Sequence, residues 1–184
     1  MHIAEAMVRW LAPILSFTAE EIWQALPGKR GDTVLLEVWH EFPSVPGADK
    51  LLAEWAEIIR VRDALGSAME ARRVAGEIGS SLDAELEIFL PDDSDHRERL
   101  ERFNDELRFV FITSEARVRP MTEAHDAEAV EGLDASVSIA ASSNKKCERC
   151  WHRRPDVGSV AEHPSICGRC ADNVSGSGEH REFV

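Results

Sequence analysis

Apolar and polar residues alternate with a helical period over the first 26 residues. Pro13 interrupts the pattern, so we expect one helix to end there and a second to follow. The second helix has a marked start, because Thr18 and Glu21 have the spacing of a capping box, and Pro27 marks its end. The first helix has no visible N-cap, as expected for a segment of a larger helical bundle. Its apolar positions are Ile3, Ala6, Met7, Trp10, Leu11, Ile14 and Leu15.

The longest helical pattern runs from Ala48 to about Val74. It follows a short apolar run at 34–39 that predicts a strand. One face of the long helix is apolar, and the other carries arginines interleaved with acidic residues. Such interleaving is typical of a solvated helix face rather than of an RNA site. These arginines are Arg60, Arg62, Arg72 and Arg73.

Residues 84–140 carry strand and helix patterns in turn. Leu86, Ile88 and Leu90 occupy alternate positions, which predicts a half-buried strand, and a helix with caps at 92–94 follows it. Thr122–Asp134 is acidic and aperiodic, which indicates an exposed linker or an irregular excursion. The further predicted strands are 109–113, 116–119 and 137–140. The fold class is therefore mainly α with a small α/β (α+β) unit.

Charge is distributed unevenly along the 184 residues, whose net charge is −13. Residues 145–184 contain seven Lys or Arg and six Asp or Glu, which leaves 14 basic and 28 acidic residues in 1–144. The acidic body repels nucleic acid at long range, so any RNA contact is expected to be local and salt-sensitive. No stretch has the layout of a signal peptide or a membrane span, so we expect a cytoplasmic protein with no membrane partner.

Two Cys-x-x-Cys pairs near the C-terminus contain all four cysteines of the chain. They are Cys147 with Cys150 and Cys167 with Cys170, separated by 16 residues, a spacing typical of a tetrahedral zinc site. Four thiolates leave no open coordination position, so the ion is expected to be one structural Zn²⁺ that stabilises the tail and performs no chemistry.

Other interpretations of the cysteines are weaker. A disulfide framework requires an oxidising compartment, and a redox dithiol does not require a duplicate. A rubredoxin-like iron site has the same ligand geometry, and spacing alone does not distinguish it from zinc. His152 and His163 lie between the two pairs and are alternative ligands in principle, although four thiols already complete the set.

A basic segment surrounds the first cysteine pair and is the candidate nucleic-acid site. An indole and an imidazole among cations are suited to stacking on an unpaired base, and the cations to phosphate contacts. The alternative is that the cations only neutralise the thiolates and that the indole is the core of a small module. The candidate residues are Lys145, Lys146, Arg149, Trp151, His152, Arg153, Arg154 and Arg169.

The sequence offers no catalytic residues. It contains no phosphate-binding glycine loop, since the Gly76-x-x-Gly79 segment lacks both the required pattern and a lysine. The seven histidines show neither a nucleophile partner nor metal-ligand spacing. We therefore expect a binding function and no chemistry within this chain.

Four segments together resemble the C-terminal end of bacterial isoleucyl-tRNA synthetases, which are class I aminoacyl-tRNA synthetases. They are 7–28, which reads MVRWLAPILSFTAEEIWQALPG; 78–89, IGSSLDAELEIF; 106–118, ELRFVFITSEARV; and 146–184, with both cysteine pairs. The resemblance covers the whole chain in order. The first segment is also similar to valyl and leucyl relatives, whereas the zinc tail is characteristic of the isoleucyl enzymes.

This resemblance implies three regions and a division of labour. Residues 1–47 would be the end of a helical anticodon-binding domain with its connector, 48–140 a C-terminal junction domain, and 141–184 the zinc-binding extension. The parent enzyme would attach isoleucine to its tRNA, using ATP and Mg²⁺ in a catalytic domain. The family signatures His-Ile-Gly-His and Lys-Met-Ser-Lys-Ser are absent from this sequence. The chain would therefore supply contacts to isoleucine tRNA and a structural zinc, and the missing catalytic and editing domains would be its other partners.

Two other functions are compatible with a four-cysteine finger. A free-standing zinc ribbon would act as a protein-binding adaptor, although an independent adaptor would be expected to cap or cover its first helix. Formamidopyrimidine-type DNA glycosylases end in a similar finger, but they require an N-terminal Pro-Glu, whereas this chain begins Met1-His2-Ile3. No DNA partner is expected.

Overall fold

The computed structural model describes residues 1–183 and divides the chain into two units, the first of which is Met1–Ala48. That unit contains helices α1 (His2–Leu11) and α2 (Ser16–Ala25). They enclose a small core around Trp23, which is buried with Val8, Ala12, Ala19 and Val34. The indole N–H of Trp23 donates to the carbonyl of Gly31 at 2.9 Å, so this buried ring is fully satisfied.

Two predictions for this unit are wrong. Helix α2 begins at Ser16 rather than Thr18, because the turn after α1 already bonds Leu15 N to Leu11 O at 2.7 Å and feeds directly into the helix. The segment from Val34 forms a 3₁₀ turn, Val34–Leu36, instead of a strand. Its backbone is satisfied locally, since the Glu20 carboxylate accepts from the amide of Val34 at 3.0 Å.

The second unit begins at Asp49 and is organised around the long helix α3 (Ala48–Val74), which confirms the predicted bounds. Its buried positions are spaced by three and four residues, as an amphipathic helix requires: Ile58, Val61, Leu65 and Met69. The opposite face holds local ion pairs, such as Arg60 with Glu57 at 2.9 Å and Arg73 with Glu70 at 2.6 Å. These pairs agree with the prediction of a solvated face.

A four-stranded sheet packs in this unit, with strand order β2-β1-β4-β3. Strand β1 (Ala84–Leu90) is central; it pairs in parallel with β2 (Glu115–Pro120) and antiparallel with β4 (Ser136–Ala141). The acidic excursion contributes only the two-residue strand β3 (Glu128–Ala129). The core residues Leu86, Ile88 and Leu90 of β1 pack against α3. This mixed sheet beside helices confirms the predicted α+β class.

The connection between β1 and β2 contains two short helices. Helix α4 (Asp95–Glu101) is capped by Ser94, whose hydroxyl accepts a hydrogen bond from the amide of His96, as predicted. The predicted strand at 109–113 is wrong, because Leu107–Phe111 forms helix α5. Leu107, Val110 and Phe111 are buried on one face at i, i+3 and i+4, and Ile112 ends the helix with a positive φ of 56°.

No helix among residues 1–183 has the length and apolar character needed to cross a membrane. The last helix of the described chain, α6 (Gly168–Ser175), begins directly after Cys167. It contains Cys170 in its first turn.

Candidate metal centre and nucleic-acid interface

The first cysteine pair lies in a tight turn closed by backbone hydrogen bonds. Cys147 N donates to the carbonyl of His152 at 2.9 Å, and Trp151 N donates to the carbonyl of Cys147 at 2.9 Å. Trp151 takes a positive φ of 68° to complete the turn. This turn directs both sulfurs to one side of the loop.

The second pair is held by a short helix. Cys167 precedes α6, and Cys170 lies in its first turn, so the two sulfurs face the same point. The connecting loop turns at Gly158, where φ is +85° and a Cβ would lie 2.9 Å from the carbonyl oxygen of Pro164. Glycine is therefore required there, and this turn brings the two pairs together.

The four Sγ atoms all lie within 4.8 Å of one another, and those of Cys150 and Cys167 are 3.8 Å apart. A Zn–S bond of about 2.3 Å in a tetrahedron separates the sulfurs by roughly 3.8 Å. Cys147, Cys167 and Cys170 are buried and Cys150 is partly buried. The donor set and its spacing fit one structural Zn²⁺.

The electrostatics of the cluster favour a bound cation. Burial raises the pKa of Cys167 to about 12 and also raises that of Cys170. Burial opposes ionisation of Cys147 as well, but the backbone amides of Cys150, Cys167 and Arg149 outweigh it and lower its pKa to about 6. Several buried thiols in contact ionise together only when a metal supplies positive charge.

The predicted nucleic-acid residues separate into two groups with different surroundings. Four of them line the side of the finger that packs on the rest of the second unit, and we call them the docked face. The other four are exposed, and we call them the outer face. The docked face is His152, Arg153, Arg154 and Arg169, and the outer face is Lys145, Lys146, Arg149 and Trp151.

Arg153 fixes the finger to the start of the sheet. Its Nε donates to Asp83 Oδ1 at 2.7 Å, and its backbone amide donates to Ser114 Oγ at 2.5 Å. The hydrogen bond from Arg153 lowers the pKa of Asp83, although burial opposes this effect. The side chain is therefore already occupied within the protein.

The other docked cations are paired in the same way. Arg154 bonds Glu115 at 2.9 Å and Asp105 at 3.3 Å, and Arg169 bonds Glu179 at 3.1 Å. The guanidinium of Arg169 also lies 5.1 Å from the centre of the Phe109 ring. These residues join the finger to α5 and β2.

His152 is the most buried of the eight predicted nucleic-acid residues, with 8% of its surface exposed. Its ring meets the edge of Phe109 at a centroid distance of 5.8 Å, and its Nδ1 lies 3.2 Å from the carbonyl oxygen of Cys150. Burial and then the charges of Arg108 and Arg169 lower its pKa to about 4. His163 bonds Ser175 Oγ at 2.9 Å and is not part of the sulfur cluster.

The outer face presents cations and an indole to solvent. Trp151 is 59% exposed, and the Nζ of Lys146 lies 5.2 Å from its ring centre. Arg149 is exposed and its Nη1 approaches the Sγ of Cys170 at 3.6 Å, so it is both near the metal site and accessible. The sulfur cluster therefore orders a basic surface with one aromatic platform.

Sequence reasoning missed the partners of the docked face. Arg108 is 5% exposed. Three guanidinium groups lie over the Phe109 ring, at 4.4, 5.1 and 4.0 Å from its centre, and they belong to Arg108, Arg169 and Arg181. The apolar run that contains Phe109 was consistent with a strand. Its contacts with Arg169 and Arg181 could not be predicted, because no local spacing indicates a contact between residues 40 or more positions apart. Within residues 1–183, the four cysteines are the one group of three or more side chains arranged to hold a metal.

Comparison with known families agrees with this arrangement. Residues 1–88 match the anticodon-binding domain of tRNA ligases, and residues 144–173 match the zinc finger found in FPG and IleRS. The finger match by itself is shared by two protein classes, so the relatives over the whole chain decide between them.

Those relatives are isoleucine--tRNA ligases. The protein from Methylococcus capsulatus is 50% identical over 185 residues, 99% of this chain and 20% of the relative. The protein from Alkalilimnicola ehrlichii is 49% identical over 190 residues, which are 100% of this chain and 20% of the relative. The protein from Halorhodospira halophila is 47% identical over 185 residues, which are 98% of this chain and 19% of the relative. The chain spans about a fifth of the length of the curated relatives it matches. The resemblance found in the sequence is thereby confirmed, since the chain is similar along nearly its whole length to a part of these isoleucine--tRNA ligases.

Proposed function

We propose that this chain is the tRNA-binding part of an isoleucine--tRNA ligase, which attaches isoleucine to its tRNA using ATP in the cytoplasm. The observation that carries the proposal is the near 50% identity to such ligases along the whole chain. We assign 1–47 to the end of the anticodon-binding domain and its connector, 48–140 to the junction domain, whose first part to residue 88 also lies within the anticodon-binding match, and 141–184 to the zinc extension. ATP and Mg²⁺ chemistry belongs to other domains of the parent protein, because its signature motifs do not occur here.

In this proposal Cys147, Cys150, Cys167 and Cys170 bind one Zn²⁺. The ion supplies the positive charge that keeps four buried thiolates together, and with four sulfur ligands it has no position for water or substrate. Arg149, whose guanidinium approaches the sulfur of Cys170, adds an outer hydrogen bond to the cluster. The site acts by ordering the loop that carries the outer face.

We assign the RNA contacts to the outer face. Lys145, Lys146 and Arg149 are exposed cations suited to phosphates, and Trp151 is an exposed ring suited to stacking on an unpaired base. The docked face contributes by holding the finger in place, because Arg153 and Arg154 are already paired with Asp83, Asp105 and Glu115. Isoleucine tRNA is the proposed ligand.

Electrostatics sets the character of this binding. Residues 1–144 carry a formal charge of −14, which opposes the approach of tRNA. The outer face must overcome this repulsion with a few contacts at short range. Binding is therefore expected to be weak and to fall steeply as salt is added.

The test is a salt series of tRNA binding with the zinc-loaded chain and isoleucine tRNA. Lys145→Ala, Lys146→Ala and Arg149→Ala should each reduce the slope of log affinity against log salt by up to about one unit. The matched control is Arg73→Ala, an exposed arginine on α3 whose partner is Glu70. It should leave both affinity and slope unchanged.

Two results would contradict the proposal. One is equal salt slopes for the parent chain and for the variant with all three outer-face cations replaced. The other is equal affinity for isoleucine tRNA and for an unrelated duplex RNA, since a tRNA-ligase element must recognise more than charge.

A further inference from the structure

The sulfur cluster faces a cavity of about 310 Å³ within the second unit. All four cysteines lie in the described part of the chain, and two of them, Cys150 and Cys167, line this cavity, whereas Cys147 and Cys170 do not. Cys150 is partly buried, and the other three are buried. A small reagent in the cavity therefore reaches the sulfur of Cys150 first, and the sulfur of Cys167 lies 3.8 Å from it.

The lining of the cavity suits a small neutral oxidant. It contains four arginines and four carboxylates, so its charges balance and it does not concentrate anions. Guanidinium groups donate hydrogen bonds to oxygen anions, and Nη2 of Arg169 lies 4.0 Å from the sulfur of Cys170, at the cluster itself. An oxygen anion that leaves during an oxidation is therefore stabilised where it forms.

We propose that Cys150 is an oxidation site for small hydroperoxides such as hydrogen peroxide, and that its oxidation bridges it to Cys167 and releases the zinc. The thiolate is both the metal ligand and the nucleophile of cysteine, so the zinc-bound form is the reactive one. Oxidation follows thiolate character and exposure, and redox-sensitive cysteines commonly have a second cysteine beside them that completes a disulfide. The finger is thus a target of oxidation and not a redox catalyst.

The reaction has two steps. In the first, the Cys150 sulfur attacks one oxygen of the peroxide, the O–O bond breaks, and hydroxide leaves, which gives a sulfenic acid at Cys150. In the second, the Cys167 thiolate attacks the Cys150 sulfur, the S–S bond forms, and a second hydroxide leaves. The two sulfurs together lose two electrons, the peroxide gains two, and both hydroxides take up protons from the solvent.

The bridge has a consequence for the whole finger. Only Cys147 and Cys170 remain as ligands, which are too few for a structural zinc site, and the finger loses its order with the ion. Cellular thiols reduce such a disulfide, so the change is reversible. Its effect on RNA rests on the proposed function: the oxidised chain should bind isoleucine tRNA more weakly, and reduction in the presence of zinc should restore the affinity.

The experiment treats the zinc-loaded chain with equimolar hydrogen peroxide in air-free buffer and follows released zinc with a colorimetric indicator. About one zinc should leave for every two thiols lost. N-ethylmaleimide then blocks the remaining thiols, and trypsin places the four cysteines on four different peptides, because it cleaves after Lys146, Arg149, Arg153 and Arg169. Mass spectrometry should find peptide 150–153 linked to 154–169. Dimedone, which traps sulfenic acids, should label 150–153 when it is present during the reaction.

Two matched variants test which sulfur reacts. Cys150→His and Cys147→His both leave three thiolates and one imidazole, a ligand set that binds structural zinc. Cys150→His should retain its zinc at a dose of peroxide that removes zinc from the parent chain, whereas Cys147→His, which keeps Cys150 and Cys167, should lose it. Equal zinc loss from the two variants would overturn the proposal. If either variant fails to bind zinc, the peptide map of the parent chain decides alone, and a bridge within either Cys-x-x-Cys pair contradicts the proposal.

The oxidation site and the proposed function can fail separately. If peroxide leaves the zinc in place while the outer-face variants still reduce the salt slope of tRNA binding, the oxidation site is wrong and the proposed function stands. If the bridge forms and zinc is released but the affinity for isoleucine tRNA does not change, the oxidation site stands and the outer-face assignment is wrong.

Discussion

The two faces of the zinc finger have similar composition and different surroundings. The outer face has three cations and an indole in solvent, whereas the docked face has three cations and an imidazole against the sheet and α5. Trp151 is 59% exposed, and its neighbour His152 is 8% exposed. A single step along the chain therefore separates a residue available to a ligand from one that is part of the protein interior.

The difference shows that a basic cluster in a sequence is not one functional unit. Arg153 and Lys146 form the two sides of an isolated β-bridge, yet Arg153 bonds Asp83 while Lys146 lies beside Trp151 at the surface. Charge density attracts phosphates only where it is not already neutralised.

Loss of the metal should have the largest effect, because it removes both faces together. The protein as purified should contain about one zinc per molecule, and Cys167→Ser should unfold the finger while most helical signal remains, since α1 to α5 lie outside it. Binding and folding are coupled in such modules, with free energies on the order of 10 kcal/mol.

Metal analysis and circular dichroism measure this outcome, and Ser177→Ala, at an exposed position, is the control. A chain purified anaerobically from zinc-replete cells without stoichiometric metal would contradict it.

Removal of the docking contact should have the next largest effect. Arg153→Ala deprives Asp83 of its ion-pair partner in a half-buried site, which should lower the free energy of unfolding by about 1–3 kcal/mol. Arg73→Ala, which breaks an exposed pair on α3, is the control and should have little effect.

Urea denaturation of the parent chain, Arg153→Ala, Asp83→Asn and the variant with both changes gives the coupling free energy between Arg153 and Asp83. A coupling of zero would mean that the docked face is held by other contacts.

The indole of the outer face should affect binding and not stability. Trp151→Gly removes the platform while glycine adopts the positive φ of 68° without strain, so the melting temperature should stay the same or rise. Affinity for isoleucine tRNA should fall about tenfold, in line with the loss of one stacked base. Equal affinity, measured at two salt concentrations, would exclude Trp151 from the interface.

The pH dependence of the docking contact should be the smallest of these effects when it is measured near neutral pH. The hydrogen bond from Arg153 lowers the pKa of Asp83, so this contact stabilises the fold fully above the unfolded value near 4 and is lost as the pH falls through the lower folded value. The stability difference between the parent chain and Asp83→Asn should therefore be constant from pH 7 to 5 and shrink below about pH 4. A difference that already shrinks at pH 6 would identify another titrating group.

Elements with strong periodicity were predictable from the sequence. Helix α3 has the predicted bounds, and β1 alternates as expected, because each buries one face of a long regular pattern. Short apolar runs were not predictable in the same way. The run at 109–113 lies mostly in a helix. The sequence did not show this, because five residues are too few for a strand pattern to be distinguished from a helix pattern.

The sulfur cluster was predictable because its information is local. Two residues between cysteines fix the turn, and the sequence contains no competing thiols. The partners of Arg153 and Arg154 were not predictable, since Asp83 and Ser114 lie 70 and 39 residues away from Arg153. Only the packing of the finger against the sheet brings them together.

The same contrast in sequence separation has a kinetic consequence. The two cysteine pairs close a loop of about 20 residues, which forms quickly, whereas the Arg153–Asp83 contact requires β1 and the intervening chain to be in place. The finger can therefore capture its ion before the sheet exists, and docking becomes the slower step of folding. A metal-loaded but undocked finger is then the expected transient species, with both of its basic faces open to solvent.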